Sequence, residues 1–289
     1  MSPRRIVIRA PDHLGDAVMA LGAIDALAAL GEVTVYCRGR WAKELYAGHA
    51  VRPGDEVPAA ADVAVCFKPS WHAARRWSHL PTVGVGPPGR YRLTLPEGRA
   101  HRRDRYARIA LAAGAPAVGP SVYRPRGQSV TIPERFVALN PWSPSATVRW
   151  DGFAALAEAL QPRPTLAFCG PGELGEVIGL LGASFPVFSG LSLPDFAASL
   201  AGCGAFVSND SGAAHFAAAC GVPVIMIHGS TAPEHTGAGE PVERAERLWC
   251  QPCYRKTCLW GRPCLDVTVA AVAAKVRAAY DLPGAVESH

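Results

Sequence analysis

The chain has 289 residues and a formal net charge of +5, enough for one large domain or two of ordinary size. Hydrophobic residues make up 49% and charged residues 18%, which excludes a disordered chain. No apolar run reaches the roughly 18 residues of a membrane span, and the densest basic cluster, Arg99 to Arg108, is interrupted by Asp104, so the charge does not demand nucleic acid.

The predicted elements alternate between strand and helix. Arg4–Arg9 is a β-branched run and reads as a strand. It is entered directly from Met1-Ser2-Pro3, without the apolar stretch and cleavage site of a signal peptide, so a cytoplasmic location is expected. Residues 15–30 carry apolar side chains at helical spacing, with Gly31 as the stop. Val33–Cys37, Val63–Phe67 and Thr82–Val85 read as strands, with a short helix at Trp41–Ala47 and another at Asp104–Ala113. Residues 115–133 then break the rhythm with Pro116, Gly119, Pro120, Pro125, Gly127 and Pro133, the signature of a linker.

The alternation restarts beyond it. Strands are predicted at Phe136–Asn140, Thr165–Cys169, Pro186–Phe188, Ala205–Ser208 and Pro223–Ile227. Helices are predicted at Asp151–Leu160 with Asp151 as cap, Glu173–Leu181, Leu193–Ala201, Gly212–Cys220 and Val267–Ala279. The expected fold is α/β, with two Rossmann-like domains of parallel strands at 1–128 and 129–289 facing a central cleft. Ligands of such sheets bind at the carboxyl ends of the strands. Cys37, Cys66, Cys169, Cys203 and Cys220 lie in apolar surroundings and read as buried free thiols.

Four segments combine residue types suited to phosphate and proton chemistry. In Ser208-Asn209-Asp210-Ser211-Gly212-Ala213-Ala214-His215 a strand ends in capping residues and a glycine opens the helix. Backbone N–H groups at such a helix start receive phosphate, and His215 lies one turn in; an ordinary capped helix needs the same residue types. In Leu14-Gly15-Asp16 a carboxylate stands at a strand-to-helix junction, where it serves either as a proton acceptor for an incoming hydroxyl or as a cap. Asp12 is its rival. Asn140–Trp150 places Ser143, Ser145 and Thr147 before Arg149, a composition suited to a phosphate loop. Gly170-Pro171-Gly172-Glu173 ends a strand at an acidic turn. A fifth segment, Cys250-x2-Cys253-x4-Cys258-x5-Cys264 near the C-terminus, offers four thiols for a tetrahedral zinc or iron site, with disulfides or free thiols as the other readings.

The stretch from Ser208 through His215, Gly221-Val222-Pro223, Gly229-Ser230-Thr231 and Pro233 resembles the hallmark of the ADP-heptose:lipopolysaccharide heptosyltransferases, glycosyltransferase family 9. Leu14-Gly15-Asp16 and Arg149-Trp150 resemble two further family segments, with Val148 standing where the family carries a lysine and Ser211 where it usually has threonine. The resemblance implies a GT-B fold and an inverting hexosyl or heptosyl transfer from an ADP-activated donor to an acceptor hydroxyl. It implies Asp16 as general base, and Asp210, Ser211, Gly212, His215 and Arg149 on the donor, where the composition of its loop makes Ser143 a further candidate. Glu173 or Glu176 takes the nucleoside. No carboxylates cluster in the way that a magnesium site needs, so no catalytic metal is expected; the resemblance implies a structural metal at Cys250, Cys253, Cys258 and Cys264, a cluster some protein-glycosylating relatives use for iron. The expected partners are the nucleotide sugar and an acceptor glycan, protein or small molecule. A lipopolysaccharide acceptor would bring the protein to the cytoplasmic face of the inner membrane, and an oligomer is compatible with the cysteine segment. Other readings are a nucleotide-sugar epimerase of the same fold, a non-catalytic four-cysteine binding module, and a transferase that has lost activity.

Overall fold

The computed structural model describes residues 3–68, 71–86, 89, 91–95, 100–124, 126–242 and 246–281. Arg99 of the basic cluster and Pro125 of the linker lie outside them. The chain divides into two compact units, Met1–Val122 and Tyr123–His289.

The first unit contains β1 (Arg4–Arg9), β2 (Gly31–Cys37), β3 (Ala50–Pro53), β4 (Val63–Cys66), β5 (Thr82–Val85) and β6 (Leu93–Leu95). They form one sheet in the order β3-β2-β1-β4-β5-β6, and every pairing is parallel. Its helices are α1 (Leu14–Met19), α2 (Leu21–Ala28), α3 (Ala42–Leu45), α4 (Trp71–Arg76) and α5 (Arg102–Ala112). The single helix expected over 15–30 is therefore two. Ser121 accounts for the break. Its hydroxyl donates to the Met19 carbonyl at 3.2 Å and accepts from the Gly22 amide at 3.4 Å, diverting the helical ladder at the junction. A Cβ on Gly22 would lie 2.3 Å from the Gly119 carbonyl oxygen, so this glycine is required by the close approach of that segment.

The second unit contains β7 (Phe136–Asn140), β8 (Thr165–Cys169), β9 (Val187–Ser189), β10 (Cys203–Asn209), β11 (Val224–Ile227) and β12 (Glu240–Val242). Their order is β12-β11-β10-β7-β8-β9, again all parallel. The helices are α6 (Phe153–Ala159), α7 (Leu174–Leu181), α8 (Leu193–Ser199), α9 (Gly212–Ala219), α10 (Pro233–Thr236) and α11 (Val269–Tyr280). Alternate residues of the central strands enter two cores. Val137, Leu139, Val207 and Ile225 pack with Phe153, Leu156 and Val276. Phe136, Ala138, Phe206 and Met226 pack with Ala214 and Ala217. Strands covered on both faces read as continuous apolar runs, and β7 and β10 are buried at every position.

Asp151 does not cap α6. The cap position is Gly152, without a side-chain bond, and the Asp151 carboxylate pairs with Arg262 at 2.9 Å. Three helices of this unit are capped as the rule has it: Ser192 accepts from Asp195 N, Ser211 from Ala214 N and Thr268 from Ala271 N. Of the five scattered thiols, Cys37, Cys66 and Cys203 are buried, whereas Cys169 and Cys220 are partly exposed. No helix among the described residues is long and apolar enough to cross a membrane.

Candidate functional site

In the second unit the chain builds β7, β8 and β9 toward one edge, then returns to place β10, β11 and β12 on the other side of β7. The reversal between β7 and β10 is the kind of position where parallel sheets bind ligands. Ser208 lies opposite Asn140 there. The Asn140 side chain donates to the Phe168 carbonyl at 2.9 Å. Its Oδ1 lies 3.1 Å from the hydroxyls of both Ser208 and Ser211. Ser211 Oγ also accepts from Ala214 N at 3.3 Å and lies 2.8 Å from Ser208 Oγ. A hydroxyl has one proton and two lone pairs, so Ser211 is saturated by its own neighbours. Asn209 fastens the facing loop: its Oδ1 accepts from Trp150 N at 3.0 Å and its amide donates to the Pro141 carbonyl at 2.7 Å.

This buried network fixes the start of α9 at the carboxyl edge of the sheet. The first-turn N–H groups of a helix have no intrahelical partner, and at α9 they open at Gly212. Asp210 sits beside them, only 12% exposed; it accepts from Thr236 Oγ1 at 3.0 Å and lies 3.9 Å from His215 Nε2. Asp210, Ser211, Gly212 and His215 are thus brought together.

The loop after β7 differs in detail from expectation. Arg149 donates through Nε to the Ser143 carbonyl, pairs with Glu176 at 3.3 Å, and lies over the Trp142 ring at 5.0 Å. Trp142 Nε1 donates to the same Glu176 carboxylate. The structure therefore joins Arg149, Ser143 and Glu176. Glu173 turns back on its own loop and accepts from Gly170 N at 2.7 Å. Val148, at the departure from the family pattern, is buried. Ser145 and Thr147 bond to each other at 2.9 Å, and Thr147 donates to the Arg255 carbonyl.

In the first unit Asp16 occupies the first turn of α1. Its Oδ1 accepts from Arg102 Nη1 at 2.7 Å, and it is hydrogen-bonded by the Tyr106 hydroxyl. Burial, reinforced by the Asp16 charge, pushes the Tyr106 hydroxyl well above the ordinary phenol range. Asp12 has a different environment. Arg9 and Lys68 both bond its Oδ2, and Arg38 N donates to Oδ1 at 3.1 Å. Burial alone would raise this carboxyl; the bonds from Arg9 and Lys68 outweigh it and hold it well below the usual carboxylate range. Asp12 is an anchor between strand ends, which leaves Asp16 as the candidate base.

The four C-terminal thiols line one cavity of about 450 Å³ with Trp249, Leu259 and Trp260. Burial, followed by the neighbouring thiols of Cys253, Cys258 and Cys250, pushes the Cys264 thiol up. The structural metal expected at these thiols finds no support: among the described residues no three His, Cys, Asp or Glu side chains are gathered to hold an ion. A sulfur-only donor set is the kind that suits zinc or iron.

A family model for Glycosyltransferase family 9 (heptosyltransferase) matches residues 104–262. The chain belongs to glycosyltransferase family 9. Lipopolysaccharide heptosyltransferase 1 of Pseudomonas aeruginosa is 42% identical over 72 residues, which are 24% of this chain and 20% of the relative. The match thus spans about a fifth of that relative's length. E. coli ADP-heptose lps heptosyltransferase II superposes with a TM-score of 0.73 at 17% identity, covering 96% of this chain and 98% of that one. E. coli heptosyltransferase WaaC, solved with ADP, gives 0.61 at 15% identity over 81% of this chain and 91% of its own. TibC, an iron-containing dodecameric glycosyltransferase of E. coli, gives 0.68 at 14% identity over 96% and 76%. At these identities the likeness concerns the fold, the two-sheet α/β architecture of GT-B heptosyltransferases.

The family match takes in the whole β7–β10 switch point and α9, and stops short of Asp16. Within it, sequence reasoning missed Asn140 and Thr236. Asn140 carried a readable signal: it is the one polar residue in an otherwise apolar strand, and a polar group buried there needs partners. Arg102 and Tyr106 were missed because Arg102 reaches Asp16 from 86 residues away and Tyr106 from the next turn of the same helix.

Proposed function

We propose that the chain is an inverting glycosyltransferase that moves a heptose or related sugar from an ADP-activated donor to an acceptor hydroxyl. The observation that carries the reading is the switch-point network, in which Asn140, Ser208 and Ser211 hold the open start of α9 at the carboxyl edge of the second sheet. Such a helix start stabilises an anionic leaving group through N–H donors and the helix dipole. Asp210 and His215 border it. Arg149 adds a cation, one that exchanges Glu176 for the diphosphate when the donor enters. ADP and an ADP-sugar analogue are the ligands named for WaaC crystals, and they supply the donor class here.

In the proposed step the acceptor oxygen attacks the anomeric carbon on the face opposite the diphosphate. The C–O bond to ADP breaks with its electron pair going to the phosphate, and the hydroxyl proton passes to the Asp16 carboxylate. Arg102 and Tyr106 hold that carboxylate in one orientation, which is worth as much to a general base as its basicity. The test is transfer from ADP-heptose to a panel of sugar acceptors. Asp16→Asn is expected to lose about 10²–10⁴ in kcat, with ADP affinity unchanged. Turnover at the parent rate would remove Asp16 from the mechanism.

A further inference from the structure

The first sheet has a switch point of its own. β1, β2 and β3 run to one edge, and β4 returns to the other side of β1, with Arg9 opposite Cys66 at their carboxyl ends. A cavity of about 290 Å³ opens there, at the lower end of the range for small-molecule sites. Its lining is cationic: Arg9 from the end of β1, Arg38 after β2, Lys68 after β4 and Arg76 on α4, with His72 alongside and Glu56 as the one acid. Trp77, buried, walls the apolar side.

These cations are unequally committed. Arg9 is buried and bonded to the carbonyls of Ala10 and Tyr36, and Asp12 is shared between Arg9 and Lys68. That one carboxylate neutralises half of the pair. Arg76 donates to the Asp55 carbonyl, a neutral partner. Among the described residues no ion pair to a carboxylate is formed by Arg38 or Arg76, although both line the same cavity. Four cations against Asp12 and Glu56 leave an excess of positive charge, and like charges held around one concavity repel until an anion enters. Guanidinium groups recognise phosphate and carboxylate in a planar, bidentate geometry.

We infer that this cavity binds an anionic group, a phosphate or a carboxylate, carried by the acceptor. The inference rests on the transferase reading above, because it is Asp16, on the same unit and only a short turn beyond β1, that gives the first unit an acceptor role. Arg38 and Arg76 grip the anion, the Arg9–Lys68 pair, only half neutralised by Asp12, adds positive charge, and Asp12 ties the strand ends together.

The experiment measures binding to the full chain by saturation-transfer NMR with three probes: glucose 6-phosphate, glucuronate and glucose. An ADP titration by calorimetry runs in parallel. Both anions are expected to bind and neutral glucose is not, with binding weakening as salt is raised. The phosphate and carboxylate arms show which anion the cavity prefers. In the Arg38→Gln/Arg76→Gln double variant anion affinity falls by about tenfold or more while ADP affinity holds. Arg38→Gln alone, at an exposed position, is expected to lower anion affinity severalfold and covers the case in which the double variant does not fold; undiminished anion binding in it overturns the inference as well. Equal binding of glucose and the two anions overturns the inference, as does undiminished anion binding in the double variant. If ADP binds and the anions do not, this inference fails and the donor reading stands. If the anions bind and ADP does not, the site stands and the transferase reading fails.

Discussion

Removing the Ser211 hydroxyl separates the two roles this residue is able to play. Ser211→Ala deletes the N-cap of α9, a loss of about 1 kcal/mol. It also removes a contact to Asn140 and one to Ser208, of which the single hydroxyl proton makes one at a time. A neutral hydrogen bond in a part-buried site contributes about 1 kcal/mol, and Asn140 Oδ1 retains Ser208 as a partner, so no buried acceptor is orphaned. The sum is about 2 kcal/mol, or a shift of about 4–8 °C in the melting of a unit of this size. Scanning calorimetry of the second unit's transition reads it. Ser211→Thr keeps both the cap and the hydroxyl and is expected to melt with the parent. ADP affinity is expected to change by less than about threefold, since the saturated hydroxyl has no valence left for phosphate. A tenfold loss of ADP affinity in Ser211→Ala without a fall in melting temperature would refute the reasoning, because it would mean that the hydroxyl serves the ligand and not the helix.

Three further predictions concern the carboxylates and thiols. Asp12→Asn destabilises the first unit by about 2 kcal/mol near about pH 7, having broken a largely buried pair. Because the folded carboxyl lies below its ordinary 3.8, the wild-type advantage is full above that value. It shrinks as the pH falls toward the folded pKa, which urea unfolding at about pH 7 and about pH 3 measures. Burial pushes the thiols of Cys203 and Cys220 up to about 12. Mass-mapped alkylation of the native protein is therefore expected to reach Cys250, Cys253 and Cys258 first; early labelling of Cys203 would contradict the placement of its strand. Elemental analysis is expected to return well below one zinc or iron per chain, because among the described residues no three ligating side chains are gathered to hold an ion; a stoichiometric metal would show that the four thiols close into a shell.

The parts of the fold legible in the sequence were those whose signal is local. The strand at Thr165–Cys169 coincides with its expected limits because its apolar run ends at a proline-glycine turn. The start of α9 was legible because capping chemistry is confined to three or four residues. Three edge strands, Ala50–Pro53, Leu93–Leu95 and Glu240–Val242, were not. They are short, mostly solvent-facing and partly built of proline, so what makes them strands is the neighbour they pair with. The same distinction runs through the candidate site. The cluster Asp210, Ser211, Gly212 and His215 lies within six residues and was visible at once. Asp151 was misread as a cap because its partner, Arg262, comes from 111 residues along the chain. Glu173 and Glu176 could not be ordered by sequence, since they are separated by which one meets Trp142 and Arg149.

Arg262 has a wider bearing than the placement of Asp151. Its guanidinium binds the carbonyls of Ala146 and Arg149 at 3.0 and 2.9 Å and the Asp151 carboxylate at 2.9 Å, while its own backbone is left-handed, with φ of 61°. Thr147 adds a second tie to the Arg255 carbonyl. The cysteine loop and the loop that carries Arg149 are therefore one mechanical piece. An electrophile or oxidant that forces the thiols apart also pulls on the peptide groups around Arg149, so chemical damage at the sulfur-lined cavity reaches the loop that carries this cation.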